Sequence, residues 1–277
     1  MVLFPNCKIN LGLHVVLKRD DGYHDIETVF YPVPLQDALE AVQNKESEKK
    51  NFQFSTSGLT IHGKNEDNLC IKAYQLLKKD FPQLSSIKLH LHKTIPTGTG
   101  LGGGSADGAF TLKLLNQKFD LRLSTEQLLN YVRQLGSDCP FFVLNKPCYA
   151  TGRGEVLETI QLDLSAYKLI IVNPGIHVST AEAFSLITPA LPSRSIKKII
   201  HQPVESWKSG LKNDFEEPVF KKYPEIKQIK DDLYKAGAFY ASMTGSGSAI
   251  YGIFEKNIKM NLVFPENYFV KELINKF

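Results

Sequence analysis

From Gly98 to Gly104 the chain reads GTGLGGG, so five of seven consecutive residues are glycine, and Ser105 and Ala106 follow where an apolar-periodic stretch begins. Glycine leaves backbone N–H groups unobstructed. A helix starting just behind adds unpaired donors and the positive end of its dipole, and together these make a seat for phosphate. Pro96, Gly98, Thr99, Gly100, Leu101, Gly102, Gly103, Gly104, Ser105 and Ala106 are therefore the candidates for holding a polyphosphate. Gly98, Gly100 and Gly103 satisfy G-x-G-x-x-G, but a dinucleotide fold needs that motif in an early strand-loop-helix unit, and here it begins only at residue 98. Asp120, spaced like the ribose acid of such folds, falls in the short Phe119 to Leu123 link between helices. For the loop G-x-x-x-x-G-K-[ST], Gly98, Gly103 and Ser105 align, yet Gly104 stands where lysine is required. H-R-D, D-F-G and A-P-E are absent, which excludes a protein kinase.

Other residues could act on a bound phosphate. Asp138 follows the helix stop Gly136 and precedes the apolar run Pro140 to Leu144, a place where a carboxylate can border a cleft or end a turn. Lys8, between Cys7 and Ile9 on an alternating strand, either snorkels to solvent or faces a charged partner. Asn10 shares its strand face, and substrate contact and turn satisfaction both stay open for it. Phe30 and Phe184, taken alone, read as core. Cys7, Cys70, Cys139 and Cys148 are scattered without C-x-x-C spacing, and no His or Cys pair stands at a metal-ligand interval. A reduced, cytoplasmic protein with no dedicated protein metal site is expected.

The elements that must position these residues can be read from periodicity. Cys7 to Val16 alternates, with Cys7, Ile9, Leu11, Leu13 and Val15 on one face, which predicts a half-buried strand. Asp20-Asp21-Gly22 turns it into the β-rich run Ile26 to Val33, a hairpin. A charged, apolar-poor connection spans Asn44 to Asn51, Phe52 and Phe54 suggest a strand, and Asp67 or Asn68 can cap a helix carrying Leu69, Ala73, Leu76 and Leu77 inward. Ser86 to His92 alternates until Pro96 breaks it. A helix with Ala106, Ala109, Phe110, Leu112 and Leu115 on its apolar side must follow the glycine run, and Ser124 with Gln127 forms a capping box for the next helix. Later come a strand at Lys168 to Val172, helical stretches at Ala181 to Leu186 and Glu225 to Ala236, and strands Phe239 to Met243 and Ala249 to Phe254. The last two flank a second glycine loop, Thr244-Gly245-Ser246-Gly247-Ser248.

The 277 residues suffice for one large domain or two joined ones. Division into residues 1–152, with the glycine-rich phosphate loop, and 153–277, with the second glycine loop, is expected. The net charge of +4, from 33 basic and 29 acidic residues, is too small to imply nucleic acid. No run approaches the roughly 20 apolar residues of a membrane span, and no targeting segment is expected at the N-terminus.

PTGTGLGGGSADGA, together with PNCKINLGLHV and MTGSGSAIYGIF, resembles the three motifs of the galactokinase, homoserine kinase, mevalonate kinase and phosphomevalonate kinase family, the GHMP kinases. KINLGLHVVLKRDDGYHDIETVF and GSDCPFFV narrow the likeness to its branch in non-mevalonate isoprenoid biosynthesis. The resemblance implies a two-lobed α+β fold with the active site in the inter-lobe cleft, ATP and Mg²⁺ as cofactors, and phosphorylation of the 2-hydroxyl of a cytidine diphosphate ester of methylerythritol. It implies that Asp138 is the catalytic aspartate and Lys8 the cation stabilising the developing alkoxide. It places Asn68 and Lys93 near adenine, Asn10 and Thr180 beside the substrate, and Tyr23, His24, Phe30 and Phe184 in a cytidine pocket. Tyr23 and Phe184 are expected to stack on the ring, with His24 reading its edge. A monomer or weak homodimer is expected. Another GHMP kinase, a non-catalytic sensor and a nicotinamide enzyme are the competing readings. The G-Y-H segment, the intact Lys8 and Asp138, and the late loop argue against them in turn.

Overall fold

Apolar alternation and capping signals become twelve strands and eight α-helices in the structure, a computed structural model that describes residues 1–43, 52–82, 84, 87–259 and 262–274. The expected connection from Asn44 to Asn51, and Ser86, lie outside the described residues. Along the chain come strands β1 (Val2–Leu3), β2 (Asn6–Lys18), β3 (His24–Gln36), β4 (Ala38–Gln43) and β5 (Gln53–Gly58), helix α1 (Leu69–Asp80) and strand β6 (Ile87–Lys93). Helices α2 (Gly103–Lys118), α3 (Thr125–Val132) and α4 (Cys139–Leu144) follow, then strands β7 (Cys148–Thr151), β8 (Val156–Thr159) and β9 (Tyr167–Asn173). The remainder is α5 (Thr180–Ser185), α6 (Ile196–Ile199), α7 (Glu216–Lys222), α8 (Pro224–Lys235), β10 (Tyr240–Met243), β11 (Ile250–Glu255) and β12 (Phe269–Ile274).

Packing divides the chain into two interleaved units, Met1–Cys7, Leu35–Thr97 and Gly102–Asn145 in one and Lys8–Pro34, Gly98–Leu101 and Lys146–Phe277 in the other. A single cut between residues 152 and 153 therefore does not describe the packing. The physical reason is packing across that cut: β7 pairs with β8, Cys148 opposite Thr159, and Leu13, Val15 and Ile26 of the N-terminal hairpin share a core with Ile170 and Val172 of β9.

The first unit holds a sheet of order β1-β4-β6-β5, in which β5 runs parallel to β6 and the other pairs are antiparallel. Along β6 the period of two turns Ile87, Leu89, Leu91 and Lys93 inward and Lys88 and His92 outward. Helix α1 is capped by Asn68, whose side chain accepts from Cys70 N at 2.9 Å, and Ser124 and Gln127 form the expected reciprocal box on α3. Helix α2 packs on α1 and α4 and is buried on more than its apolar side, since Asp107 and Thr111 are buried with Ala106, Ala109, Leu112 and Leu115.

The second unit holds the sheets β2-β3-β7-β8 and β10-β11-β9-β12. One core joins them: Leu13, Val15 and Ile26 from the first sheet meet Ile170, Val172, Ala241, Ile250 and Phe254 from the second. Helix α8 adds Ile226, Ile229 and Leu233, at helical spacing, to the same cluster. Strand β2 departs from the half-buried expectation, for Lys8 and Asn10 are as buried as Ile9 and Leu11. A polar face can be buried when its groups are paired, and here it is. Among the described residues, no helix is long and apolar enough to cross a membrane.

Candidate active site

In the second unit the front half of the glycine-rich loop is laid against the second glycine loop. Thr99 O accepts from Ala249 N at 3.1 Å, Gly100 O from Thr244 Oγ1 at 3.1 Å, and Leu101 O from Lys8 N on β2 at 2.9 Å. Gly100 is indispensable to this approach: its φ is +82°, and a Cβ there would stand 1.9 Å from Thr244 O.

Asn10 is the hub beneath the two loops. Its Oδ1 accepts from Lys8 Nζ at 2.6 Å, Gly245 N at 3.0 Å and Thr244 Oγ1 at 3.2 Å, while its Nδ2 donates to Thr28 Oγ1 at 3.0 Å. Thr28 in turn donates to Gly12 O at 2.5 Å, and Tyr251 donates its phenol proton to Asn10 O at 2.8 Å. Asn10, expected to touch substrate, is 1% exposed and spends its amide inside this network. Lys8 does not snorkel out. Its ammonium lies 5.0 Å from the Phe30 ring centroid, and Phe30, also expected in the cytidine pocket, is a core residue under that charge.

The remaining aromatic candidates gather in the same unit. His24 stacks face to face on Phe184, centroids 4.7 Å apart and planes 16° from parallel, and Phe184 sets its edge on Phe215. Tyr23 is exposed, with the Arg153 guanidinium 4.6 Å over its ring. Thr180 exchanges a hydrogen bond of 3.0 Å with Ser246, so the second glycine loop carries this corner as well. His24 was expected edge-on to a base. The structure places it against the face of Phe184, where stacking covers two apolar faces at once.

The first unit holds the rest. Helix α2 begins at Gly103 with Gly102 as its N-cap, so Gly104, Ser105 and Ala106 form its first turn, with Pro96 on the approach from β6. The Cys139 thiol, which burial pushes up to about 12, lies beside Ser105 and so joins the heads of α2 and α4. Asp138 precedes α4, is half-buried, and does not use its side chain to cap that helix. Asn68 gives its Oδ1 to the α1 cap. Lys93, expected near adenine, is 1% exposed, and its ammonium is taken up by Asp37 and, at 2.7 Å, by Asp107. Burial alone would lower its pKa, and the two carboxylates carry it above the ordinary lysine value.

Sequence reasoning missed Asp37, Asp107, Thr28, Thr244 and Asn213. Asn213 donates to Met243 O at 2.8 Å and Gly245 O at 2.9 Å, fixing the second glycine loop from below. For Asp37 a signal existed, a lone carboxylate between the apolar Leu35 and Leu39.

The GHMP kinases N terminal domain matches residues 68–146 and the GHMP kinases C terminal domain residues 190–263. A protein of Bacteroides fragilis named 4-diphosphocytidyl-2-C-methyl-D-erythritol kinase is 52% identical over 264 residues, 94% of this chain and 96% of that protein. One of the same name from Bacteroides thetaiotaomicron is 53% identical over 255 residues, 92% of each. A crystal structure of 4-(cytidine 5'-diphospho)-2C-methyl-D-erythritol kinase superposes with a TM-score of 0.79 at 30% identity, covering 92% of this chain and 91% of that one. The Methanococcus jannaschii mevalonate kinase, at 12% identity, shares the fold with a TM-score of 0.68 over 100% of this chain and 98% of its own. With both domains of that family present in order, and relatives sharing half of its residues along nearly its whole length, the chain belongs to the GHMP kinase family.

Proposed function

We propose that the chain transfers the γ-phosphate of ATP to the 2-hydroxyl of 4-diphosphocytidyl-2-C-methyl-D-erythritol, a step of non-mevalonate isoprenoid precursor synthesis. The observation that carries the substrate is the ring stack of His24 on Phe184 beside Thr180, a flat recognition surface for which an acceptor without a base has no use. It stands with the name shared by the Bacteroides relatives.

The amides of the glycine-rich loop and the first turn of α2 receive the phosphates, with the Ser105 hydroxyl. Lys8, fixed by Asn10 and Phe30, stabilises the negative charge that develops on the acceptor oxygen, and Asp138 takes its proton. Among the described residues no three His, Cys, Asp or Glu side chains group to hold a metal. Mg²⁺ asks for no such cage, since it keeps several waters and is commonly held by one or two carboxylates and the substrate phosphates. Asp138, a carboxylate that does not cap its helix, would be the protein's ligand for it. When bound, the ion neutralises phosphate charge.

The test is ADP release with ATP, Mg²⁺ and a series of alcohols. The cytidine diphosphate ester should turn over, and free methylerythritol phosphate, lacking the remote binding energy of the base, should react poorly. Asp138→Asn should lower kcat by roughly 10²-fold or more. Lys8→Met should do similarly, and the double variant should be little worse than the worse single one, as for residues acting as a unit. Equal turnover of the truncated alcohol rejects the substrate, and near-wild-type kcat in Asp138→Asn removes it as the base.

A further inference from the structure

The glycine-rich loop leaves β6 and enters α2, and in the first unit both ends of that passage are pinned by one buried charge cluster. Asp37, just before β4, accepts on Oδ1 the amides of Thr94, at 2.5 Å, and Ile95, at 2.8 Å, the first two residues past β6. Its Oδ2 takes the ammonium of Lys93, the last residue of β6, and the same ammonium donates to Asp107 Oδ2 in the second turn of α2. All three side chains are buried. A Cβ at Gly103 would lie 3.0 Å from Lys93 Nζ and 2.9 Å from Ile95 Cγ2, so the ammonium sits directly against the first residue of the helix.

Such charges are costly to bury unless each keeps a partner, because an ammonium left without a carboxylate is an uncompensated charge in a low-dielectric interior. It therefore fixes geometry. An ammonium 1% exposed and held by two carboxylates offers little to a ligand, whereas the helix it holds presents its free amides to one. We propose that Asp37, Lys93 and Asp107 are positioning residues for the nucleotide, a strut that holds the first turn of α2 at fixed register against the end of β6 and so keeps its amides aligned on the triphosphate. Lys93 acts through the helix, without touching the base. The proposal rests on the ATP reading above.

The experiment is calorimetric titration of the full chain with MgATP and with inorganic tripolyphosphate, which has no base. Asp107→Ala cuts α2 from the cluster and leaves the Asp37–Lys93 pair intact, so the fold should survive, as circular dichroism checks. Both ligands should weaken by the same factor, at least about tenfold, equivalent to about 1.4 kcal/mol. Asp107→Asn, whose amide oxygen still accepts from Lys93, should restore most of both affinities. Lys93→Met should repeat the parallel loss, and if it fails to fold, the Asp107 pair decides alone. A loss for MgATP with tripolyphosphate unchanged would mean that the cluster serves the base, and overturns the strut. So do unchanged affinities, or a wild type that binds MgATP but no tripolyphosphate. A wild type that binds neither ligand overturns the nucleotide reading itself.

Discussion

Replacing Asn10 by alanine should be among the most damaging single changes in the second unit, and the structure allows its cost to be built up bond by bond. The variant deletes one acceptor of three hydrogen bonds and one donor. Two of the four partners recover, since Thr244 Oγ1 retains Gly100 O at 3.1 Å and Thr28 Oγ1 retains Gly12 O. The Gly245 amide loses its acceptor in a part-buried place, and Lys8 loses its bond of 2.6 Å. An orphaned buried donor costs about 1–3 kcal/mol and a bond to a charged group contributes about 1.5–3 kcal/mol, so the loss should be about 2.5–6 kcal/mol. That is a large fraction of the roughly 5–15 kcal/mol by which domains are stable. At roughly 2–4 °C per kcal/mol for chains of 150–250 residues, Tm should fall on the order of 10 °C. Scanning calorimetry with urea unfolding measures this, and kcat should fall with it because Lys8 loses one of the groups that position it. Asn10→Asp keeps the acceptor for all three donors and loses only the bond to Thr28, so it should cost less than half as much. A loss below about 0.5 kcal/mol in Asn10→Ala, the ordinary range of surface substitutions, or an equal loss in both variants, would refute the assignment of Oδ1 as the hub.

Gly100→Ala combines a positive φ with a contact of 1.9 Å to Thr244 O, so it should lower Tm and abolish calorimetric ATP binding. Gly104→Ala meets nothing within 4 Å inside α2 and should raise stability by about 0.5–1 kcal/mol. His24→Ala is the cleaner probe of the ring surface than Phe184→Ala, because Phe184 also packs on the core through Phe215. It should raise KM for the cytidine diphosphate ester by roughly 5- to 150-fold, equivalent to the roughly 1–3 kcal/mol of base stacking, with Tm unchanged. Burial pushes the Asp107 carboxyl up to about 7, against the pull of Lys93 and with the charge of Asp37 adding, from the ordinary 3.8. The folded state then binds more protons than the unfolded one between those values. Wild-type stability should therefore fall relative to Asp107→Asn as pH rises from about 4 to about 7; a flat difference in urea unfolding across that range would contradict it.

Periodicity was a sound guide wherever a segment's own residues decide its conformation. The strand expected at Lys168 to Val172 is β9, Tyr167–Asn173, and the helix expected at Glu225 to Ala236 is α8, Pro224–Lys235. Asn68 and the Ser124–Gln127 box cap the helices they precede, because a cap bonds within four residues of itself. The domain division could not be read this way. Which unit the hairpin joins is settled by partners far along the chain: Leu13 and Val15 of β2 share a core with Ile170 and Val172 of β9, and no local feature of either strand announces the other.

The same distinction explains what was legible in the candidate site. Glycines 98 to 104 could be proposed as a phosphate seat from sequence because that chemistry is in the backbone and needs no partner. Lys93 carried a local signal too, since the alternation Ile87, Leu89, Leu91 continues onto it and puts an ammonium on the apolar face. A buried ammonium requires carboxylates, but these lie 56 residues upstream and 14 downstream, and the sequence ranks no aspartate above another as the partner. Asn10 was legible in type and not in task, for its phase on β2 is that of Lys8, and only the return of the chain 234 residues later brings Thr244 to it. A polar side chain in phase with buried neighbours thus predicts that a network exists, while its members depend on the fold. That is why Asn10, read first as a ligand of the substrate, and Lys93, read first as a neighbour of adenine, are bonded in the structure to the backbone and side chains around the proposed site.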